Sequence, residues 1–516
     1  MRKAWLPIAC LSVLLALFLS ACDGAPPGVP SETASSKTIR FGLAASPITL
    51  DPRFATDAVS TRINRLLYDA LVDFDESFQA VPALADWRRV TPLHYQFTLG
   101  PERARFHNGA PLTAFDVKAT YDSILDAGAA SPHGTALAVI ERIVAIDPNT
   151  IDFHLQSPDP LFPGRLALGI LPGDLIARDH PFNRKPVGSG PMVFVDWSHD
   201  GKLQLRRLAD GRIIEFLRVP EATVRVLKLL RGEIDLMQND LLPELTAWLS
   251  EREDIIVETA RGINFSYLGF HLQDPVTGDP RVRQAVAHAL DREAIIRHVW
   301  GGAARVANAV LTPDHWAGYP SLQAIPFDPD KAKALLAAAG YTKDHRPILV
   351  YKTSSNPFRV RLATVMQDQL QRVGIDVDLR SYDWGTFYGD IKAGRFRMYS
   401  LAWVSIKMPD IFRYAFHSAS LPPAGANRGR FMDTFADRLI DEAEAASSLT
   451  EQARLYRELQ EYLLARLPYV PLWYEDNVLV TRGDITGYRL TPDGNYDGLM
   501  TVRRNVSPAV PSVTFR

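Results

Sequence analysis

The amino-acid sequence predicts an α/β fold with two or three domains. Between residues 348 and 404, apolar segments follow one another in the order strand, helix, strand, helix, strand. This alternation is typical of right-handed crossover units around a parallel sheet. The chain has 516 residues, of which 47% are hydrophobic and 22% are charged, as in ordinary soluble globular proteins. The formal net charge of -2 shows no basic excess that would indicate nucleic-acid binding.

The N-terminal segment predicts export from the cytoplasm. Arg2 and Lys3 precede an apolar run over residues 4–19, and Leu19-Ser20-Ala21-Cys22 supplies a small-residue cleavage site. The run is shorter than the roughly 20 residues that a membrane-spanning helix needs, so a signal peptide over 1–21 is favoured. The segment resembles a bacterial lipoprotein signal, which implies that Cys22 becomes the acylated first residue.

A Cys22→Ala variant is therefore expected to leave the membrane fraction. Cys10 lies in the removed segment, so Cys22 is the one cysteine of the predicted mature chain. Its acyl chains contribute about 0.8 kcal/mol per buried methylene to membrane binding. Asp23 resembles the signal that keeps some lipoproteins at the inner membrane. Membrane fractionation checks this expectation, and a variant that stays membrane-bound would contradict the anchor.

The first half of the body begins near Lys37, after a spacer over 22–36 that is rich in proline, glycine and serine. Asn108-Gly109 predicts a tight turn. Thr113 and Asp116 form a near capping box that predicts the start of a helix. The predicted elements are strands over 38–43 and 95–99 and helices over 63–71 and 114–125.

The second half carries the strand and helix alternation. Asp279 and Asp291 are helix N-caps, each placed directly before an apolar residue pattern of helical period. Pro468 ends a helical region and is followed by extended chain. The predicted helices are 280–290, 292–300, 359–373, 384–393 and two within 439–467, and the predicted strands are 348–351, 375–379, 396–404 and 469–480.

Short motifs run in a fixed order along nearly the whole predicted mature chain. They include Leu50-Asp51-Pro52, Leu67 to Val72, Pro82 to Trp87, Phe106 to Gly109, Pro186 to Pro191, Tyr267 to His271, Arg281 to Val286 and Val373 to Val377. No single motif is diagnostic. Together they resemble the family 5 extracytoplasmic solute-binding proteins of ABC importers, that is, the dipeptide- and oligopeptide-binding proteins.

The resemblance implies a two-lobe periplasmic binding protein fold of type II, class C, with a subdomain inserted in the first lobe. Two strands, near Phe270 and near Trp473, are expected to cross between the lobes. The expected divisions are a signal peptide (1–21), a linker (22–36), a lobe I core (37–52, 186–269 and 477–516), an inserted subdomain (53–185) and lobe II (270–476). A ligand that touches both lobes then favours their closure.

The implied function is capture of a peptide or peptide-like solute by a monomeric, membrane-anchored lipoprotein in the periplasm or cell envelope, which hands it to an ABC permease and its ATPase. A sensor or chaperone with the same clamp, or a binder of a non-peptide solute, is the alternative. The chain contains no HExxH, GxSxG, Walker or CxxC motif, so an enzyme is not expected. Its 12 histidines are scattered, and neither a cofactor nor a metal is expected.

The candidate ligand site is the loop over 404–410. Trp403 lies near the end of the predicted buried strand over 396–404, and in open α/β sheets ligands lie beyond the carboxyl ends of the strands. The expected ligand contacts there are Trp403, Ser405, Ile406, Lys407 and Asp410.

One position in this loop departs from the family pattern. Peptide-binding relatives place an aspartate three residues after this tryptophan, where it pairs with the amino group of the peptide. Here Ile406 occupies that position and Lys407 follows, unless a rearranged loop lets Asp410 take over. The departure favours a blocked, modified, longer or non-peptide ligand, with an acid group for Lys407.

Further candidates flank neighbouring segments. Lys352, Ser354 and Asn356 lie where dipeptide-binding relatives place an arginine that pairs with a carboxylate. Asn427, Arg428 and Arg430 form a loop whose arginines suit a carboxylate or phosphate, or are solvated or paired within the lobe. Ser46 and Pro47, after the first strand, face the cleft by analogy with the family.

Overall fold

The computed structural model describes residues 37–100 and 104–505. Its strands are β1 (Thr38–Leu43), β2 (Val72–Phe74), β3 (Ala80–Pro82), β4 (Ala85–Thr91), β5 (His94–Leu99), β6 (Ile140–Ala145), β7 (Thr150–Leu155), β8 (Met192–Trp197), β9 (Leu203–Arg207), β10 (Ile213–Arg218), β11 (Leu236–Gln238), β12 (Ile255–Phe270), β13 (Ala304–Val306), β14 (Ile348–Ser354), β15 (Asp376–Tyr382), β16 (Met398–Trp403), β17 (Tyr469–Arg482), β18 (Ile485–Thr486) and β19 (Arg503–Arg504). Its α-helices are α1 (Ala58–Leu67), α2 (Ala114–Leu125), α3 (Gly134–Leu137), α4 (Gly173–Ile176), α5 (Ala222–Leu230), α6 (Pro243–Ser250), α7 (Pro280–Ala289), α8 (Arg292–His298), α9 (Pro329–Ala338), α10 (Pro357–Arg372), α11 (Trp384–Lys392), α12 (Ile411–Phe416), α13 (Thr434–Ala445) and α14 (Leu449–Arg466). The predicted signal peptide and Cys22 lie outside the described residues. In the described part of the chain, no helix is both long and apolar enough to cross a membrane.

One large sheet runs through both lobes. Its strand order is β15-β14-β16-β12-β17-β11-β1-β10-β9-β8, and β13 also pairs with β17. The long strands β12 and β17 are antiparallel and pair along most of their length. On one side they adjoin β16 of lobe II, and on the other β11 of lobe I. These two strands are therefore the connection between the lobes.

Lobe II follows the alternation predicted from the sequence. Strand β14 pairs in parallel with both β15 and β16, and α10 and α11 are the connecting helices. The predicted parallel arrangement is confirmed, with element ends shifted by a few residues. Because β15, β14 and β16 are parallel, their carboxyl ends meet at one edge of the sheet.

A separate four-stranded sheet belongs to the inserted subdomain. Its order is β4-β5-β7-β6, and buried side chains on one face, including Phe97 and Phe153, pack with Tyr121 of α2. Helix α2 begins as predicted, since the Asp116 carboxylate accepts a hydrogen bond from the Thr113 backbone N–H at 2.9 Å.

Helix α1 differs from the prediction of a helix over 63–71. It begins at Ala58 because Asp57 caps it, accepting a hydrogen bond from the Ser60 backbone N–H at 2.9 Å. It ends at Leu67, where the Gly190 N–H donates to the Leu67 carbonyl at 2.9 Å. A Cβ on Gly188 would lie 1.9 Å from that carbonyl oxygen, so only glycine permits this close approach.

Candidate ligand-binding site

The loop after β16 bridges the two lobes. Ser405, with a positive φ of 54°, donates its backbone N–H to Asn264 Oδ1 at 3.1 Å and its hydroxyl to the Asp493 carbonyl at 2.7 Å. Asn264 lies on a crossing strand, whereas Asp493 belongs to the segment after β17 that returns to lobe I. The sharp turn at Ser405 therefore directs the loop into the space between the lobes.

Lys407 extends the same bridge with an ion pair. Its Nζ lies 2.6 Å from Asp493 Oδ2, and the two side chains are only 18% and 12% exposed. Burial raises the pKa of Asp493, but the Lys407 ammonium outweighs this effect and holds that pKa below its ordinary value. The charge of Lys407 is thus already compensated by an acid of the opposite lobe.

The end of the loop contacts the inserted subdomain. Asp410 Oδ2 lies 3.3 Å from Arg165 Nη1, and Arg165 also pairs with Asp159 at 2.6 Å. Met408 packs against Gly164. Asp410 is therefore engaged in a contact between lobe II and the subdomain.

Arg428 is a buried cation held by phenols. Arg428 is 7% exposed. Its guanidinium donates hydrogen bonds to the hydroxyls of Tyr267 at 3.3 Å and Tyr388 at 3.1 Å. The guanidinium carbon lies 4.9 Å from the Trp403 ring centroid. Burial lowers the pKa of Arg428, but Tyr267 and then Tyr399 outweigh it and raise that pKa. Arg428 stays charged.

No carboxylate of the described residues forms an ion pair with Arg428. Arg283, another buried arginine, is instead compensated by several backbone carbonyls. A buried cation whose described neighbours are phenols and an indole ring, with no carboxylate paired to it, is suited to an anionic partner supplied from outside.

Aromatic side chains surround this cation. Trp403 stacks on Tyr267 at 6.3 Å and 16°, and Trp384 stacks on Tyr388 at 5.4 Å and 6°. Trp384 is 59% exposed and Tyr414, which contacts Trp403, is 45% exposed. The buried Nε1 of Trp403 has no hydrogen-bond acceptor among the described residues.

Four of these aromatic residues were not predicted from the sequence as ligand contacts, namely Trp384, Tyr388, Tyr267 and Tyr414. Trp384 is the first residue of α11 and follows β15 directly. The place of Trp384 near the site could have been predicted from the sequence, because β15 and β16 are parallel and their carboxyl ends lie at the same edge of the sheet.

The candidates after β14 have partners inside lobe II. Lys352 Nζ lies 2.6 Å from Asp390 Oδ2, with both side chains largely buried. The Asn356 side chain caps α10 by accepting from the backbone N–H groups of Phe358 and Arg359. Ser354 is half-buried.

The two arginines around Gly429 diverge. Arg430, at a positive φ of 56°, lies beside Gly394 and His271, towards the opposite end of β16 from Arg428. Asn427 is 1% exposed and fixes the loop, since its amide bonds to the backbone of Phe431. Of these two arginines, Arg428 is therefore the one that contacts Trp403.

The remaining candidates are placed as follows. Ile406 packs against the hydrophobic core of lobe II. Pro47 is buried, and Ser46 is half-buried next to Gly201 in the turn between β8 and β9. Contacts in the structure thus join Arg428 to Trp403, and Ser405 and Lys407 to Asp493. The contacts described for Lys352, Asn356, Arg430 and Ser46 are with other residues.

The fluorescence of the protein is expected to change when solute binds. Trp403 stands between the buried Arg428 and the interlobe loop, so solute in contact with Arg428 alters the surroundings of its indole. A Trp403→Ala variant is expected to lose most of this change and to bind about tenfold more weakly, because aromatic contacts are worth about 1 kcal/mol or more. Fluorescence titration checks this, and undiminished affinity in the variant would place the site elsewhere.

Comparisons with known proteins agree with this architecture. Residues 79–420, more than half of the chain, match the family described as bacterial extracellular solute-binding proteins, family 5 Middle. The di/tripeptide-binding protein 2 of Pseudomonas aeruginosa is 29% identical over 499 residues, covering 89% of this chain and 93% of that protein. The heme-binding protein A of Haemophilus influenzae is 26% identical over 552 residues, covering 97% and 98%.

A solved structure shows the same fold. The periplasmic binding protein DppA from Helicobacter pylori, in complex with the peptide STSA, superposes with a TM-score of 0.79 at 26% identity, covering 91% of this chain and 98% of that chain. The two-lobe α/β fold predicted from the sequence is confirmed. The chain belongs to the family 5 bacterial extracellular solute-binding proteins.

Proposed function

We propose that this protein is the substrate-binding component of an ABC importer, and that it captures a peptide or peptide-like solute by closure of its two lobes. The observation that carries the proposal is the loop over 404–410. It leaves lobe II beside Trp403 and Arg428 and reaches Asp493 of lobe I. A solute at Trp403 is therefore placed where closure brings both lobes into contact with it.

The hinge of this motion lies where β12 and β17 change neighbours. Their pairing is regular up to Ala260 opposite Asn477 and resumes at Asn264 opposite Glu475, so β12 carries two extra residues between these points. A Cβ on Gly262 would lie 2.0 Å from the Glu475 carbonyl oxygen. We place the lobe boundary on β12 at this bulge, earlier than the 269/270 division expected from the sequence, and retain the division near 476/477 on β17.

The solute carries an acid group for Arg428. Lys407 was the expected partner of such a group, but its charge is compensated by Asp493. Arg428 has no such compensation among the described residues, and a guanidinium binds a carboxylate through two parallel hydrogen bonds. The exposed rings of Trp384 and Tyr414 supply apolar contact area next to it.

Unmodified dialanine is expected to bind weakly. Ile406 offers no carboxylate for a free amino group and packs into the core of lobe II, so burying an ammonium there would leave it unpaired at a cost of several kcal/mol. Isothermal titration calorimetry with dialanine and with its N-acetylated form separates the two cases. Micromolar binding of free dialanine would refute this assignment.

Native mass spectrometry of the protein purified from its own cells tests the function itself. A co-purified small molecule that bears a carboxylate or phosphate, and that is released on denaturation, is the expected result. Identification of that molecule also separates peptides from non-peptide solutes. Protein that is repeatedly isolated without any bound solute, and that binds none from a cell extract, would contradict a role in capture.

A non-peptide solute is the second candidate. It is favoured by the absence of a carboxylate at Ile406 and by the family relative named a heme-binding protein.

The proposed importer role also includes acylation at Cys22, placement at the inner membrane, a monomeric state, and docking on a permease with its ATPase. Loss of uptake of the identified solute on deletion of the gene would separate import from a sensor or chaperone role.

A further inference from the structure

A histidine–aspartate–histidine cluster lies on the inserted subdomain, outside the ligand site. His94 of β5 and His154 of β7 are direct partners across the two central strands, and Asp152 lies two residues before His154, opposite Gln96. Side chains two apart on a strand share a face. One nitrogen of each histidine and one carboxylate oxygen of Asp152 all lie within 4.8 Å of one another.

The carboxylate of Asp152 is oriented by its neighbours. Gln96 Nε2 donates to Asp152 Oδ1 at 2.9 Å, and Arg88 in turn donates to Gln96 Oε1 at 3.0 and 2.7 Å. This leaves Oδ2 directed at His94 Nε2, 3.2 Å away. Metal ligands are characteristically held by such outer hydrogen bonds.

The imidazole rings of His94 and His154 lie against each other. Their rings stack at 4.5 Å and 18°, and the contact between the buried Nε2 of His94 and Asp152 Oδ2 lacks the geometry of a hydrogen bond.

The strands that carry the cluster are the two central strands of their sheet and are packed on one face. The opposite face of β5 and β7 is packed by Tyr95, Phe97, Ile151 and Phe153, all buried. Two histidines and one carboxylate match the ligand set of Zn²⁺ sites with an open position. Tetrahedral Zn²⁺ with bonds of about 2.0 Å separates its ligand atoms by about 3.3 Å, so small side-chain rotations are enough to close the cluster on an ion.

We propose that His94, Asp152 and His154 form a binding site for one Zn²⁺ or a similar late first-row divalent cation, with water completing the coordination. A metal was not expected from the sequence because the two histidines lie 60 positions apart along the chain, and the β5–β7 pairing brings them together. The simpler alternative is an Asp152–His94 ion pair with His154 stacked beside it. The proposal is independent of the solute and of the hinge.

Calorimetric titration of chelator-treated full-length protein with ZnCl₂, and separately with MgCl₂, tests the site. We expect one zinc ion per chain at this site and no response to magnesium, which prefers oxygen ligands. His154→Gln and Asp152→Asn should each remove this binding event, while Gln96→Ala should weaken it about tenfold or more through the loss of orientation.

The matched control is His199→Ala, which removes an exposed histidine between β8 and β9 and should leave binding unchanged. Circular dichroism confirms that the variants are folded. Zinc binding that is absent in the wild type, or equal in the wild type, His154→Gln and Asp152→Asn, would overturn the site and favour the simple ion pair.

Discussion

Replacing Arg428 with methionine is expected to abolish capture of the co-purifying solute. Methionine fills a similar volume among Trp403, Tyr267 and Tyr388 but removes a buried cation whose hydrogen bonds go to phenols and not to a carboxylate. Loss of one member of a buried, hydrogen-bonded charge pair costs about 2–5 kcal/mol, which lowers affinity by about 30-fold or more. Native mass spectrometry measures the fraction of protein that retains solute, and calorimetry with the identified solute gives the affinity.

Two further variants make this test specific. Arg428→Lys keeps the charge but loses the two-pronged hydrogen bonding of the guanidinium, so it should recover only part of the affinity. Arg430→Met removes the neighbouring arginine, which lies beside Gly394 and His271 instead, and should bind as the wild type does. Equal loss in Arg430→Met, or none in Arg428→Met, would show that the acid group is received elsewhere.

Replacing Asp493 with asparagine is expected to weaken the closed arrangement of the lobes. Asparagine keeps the size of the side chain but leaves the Lys407 ammonium, 18% exposed, without its counter-charge. Breaking a fully buried pair costs about 3–5 kcal/mol, and the residual exposure of these two side chains reduces the cost to about 2 kcal/mol. This lowers the ratio of closed to open molecules, and with it the solute affinity, by about 30-fold. Calorimetry at constant temperature and salt measures the change.

The same ion pair gives a pH dependence with a defined sign. Lys407 holds the pKa of Asp493 below its ordinary value, which is about 3.9. The Lys407–Asp493 pair therefore stabilises the closed arrangement fully at pH values above the ordinary pKa of an aspartate. This stabilisation is lost as the pH falls through the lowered pKa of Asp493. Solute affinity should decline in this acidic range in the wild type, and this part of the decline should be absent in Asp493→Asn.

A matched control for the interlobe pair exists at the protein surface. Glu244 of α6 and Arg361 of α10 also pair across the lobes, but their side chains are 61% and 39% exposed. Exposed pairs contribute about 0–1 kcal/mol, so Glu244→Gln should change solute affinity little. An effect as large as that of Asp493→Asn would mean that net charge, and not the buried contact, governs closure.

The regular parts of the fold could be predicted from the sequence because each signal was local. Helix α2 was predicted with its bounds, since Thr113 and Asp116 cap it within four residues. The alternation over 348–404 predicted the parallel pairing of β14 with β15 and β16. Helix α1 was displaced because its end is set by Gly188 and Gly190, more than 100 residues away.

The site was predicted less completely because its charges are compensated over long distances in the chain. Trp403, Lys407 and Arg428 were all recognised as candidates, but nothing local distinguishes the cation that is paired from the cation that is not. Asp493, which compensates Lys407, follows it by 86 residues. Trp384 was overlooked since its nearness to Trp403 depends on the order of the strands and not on sequence spacing.

Small-angle X-ray scattering of the protein with and without its solute tests the central claim most directly. If two lobes close on a hinge at 260–264 and 475–477, the radius of gyration should fall when the co-purified solute is added back to stripped protein, and Asp493→Asn should require more solute for the same change. An identical radius of gyration with and without bound solute would contradict capture by closure.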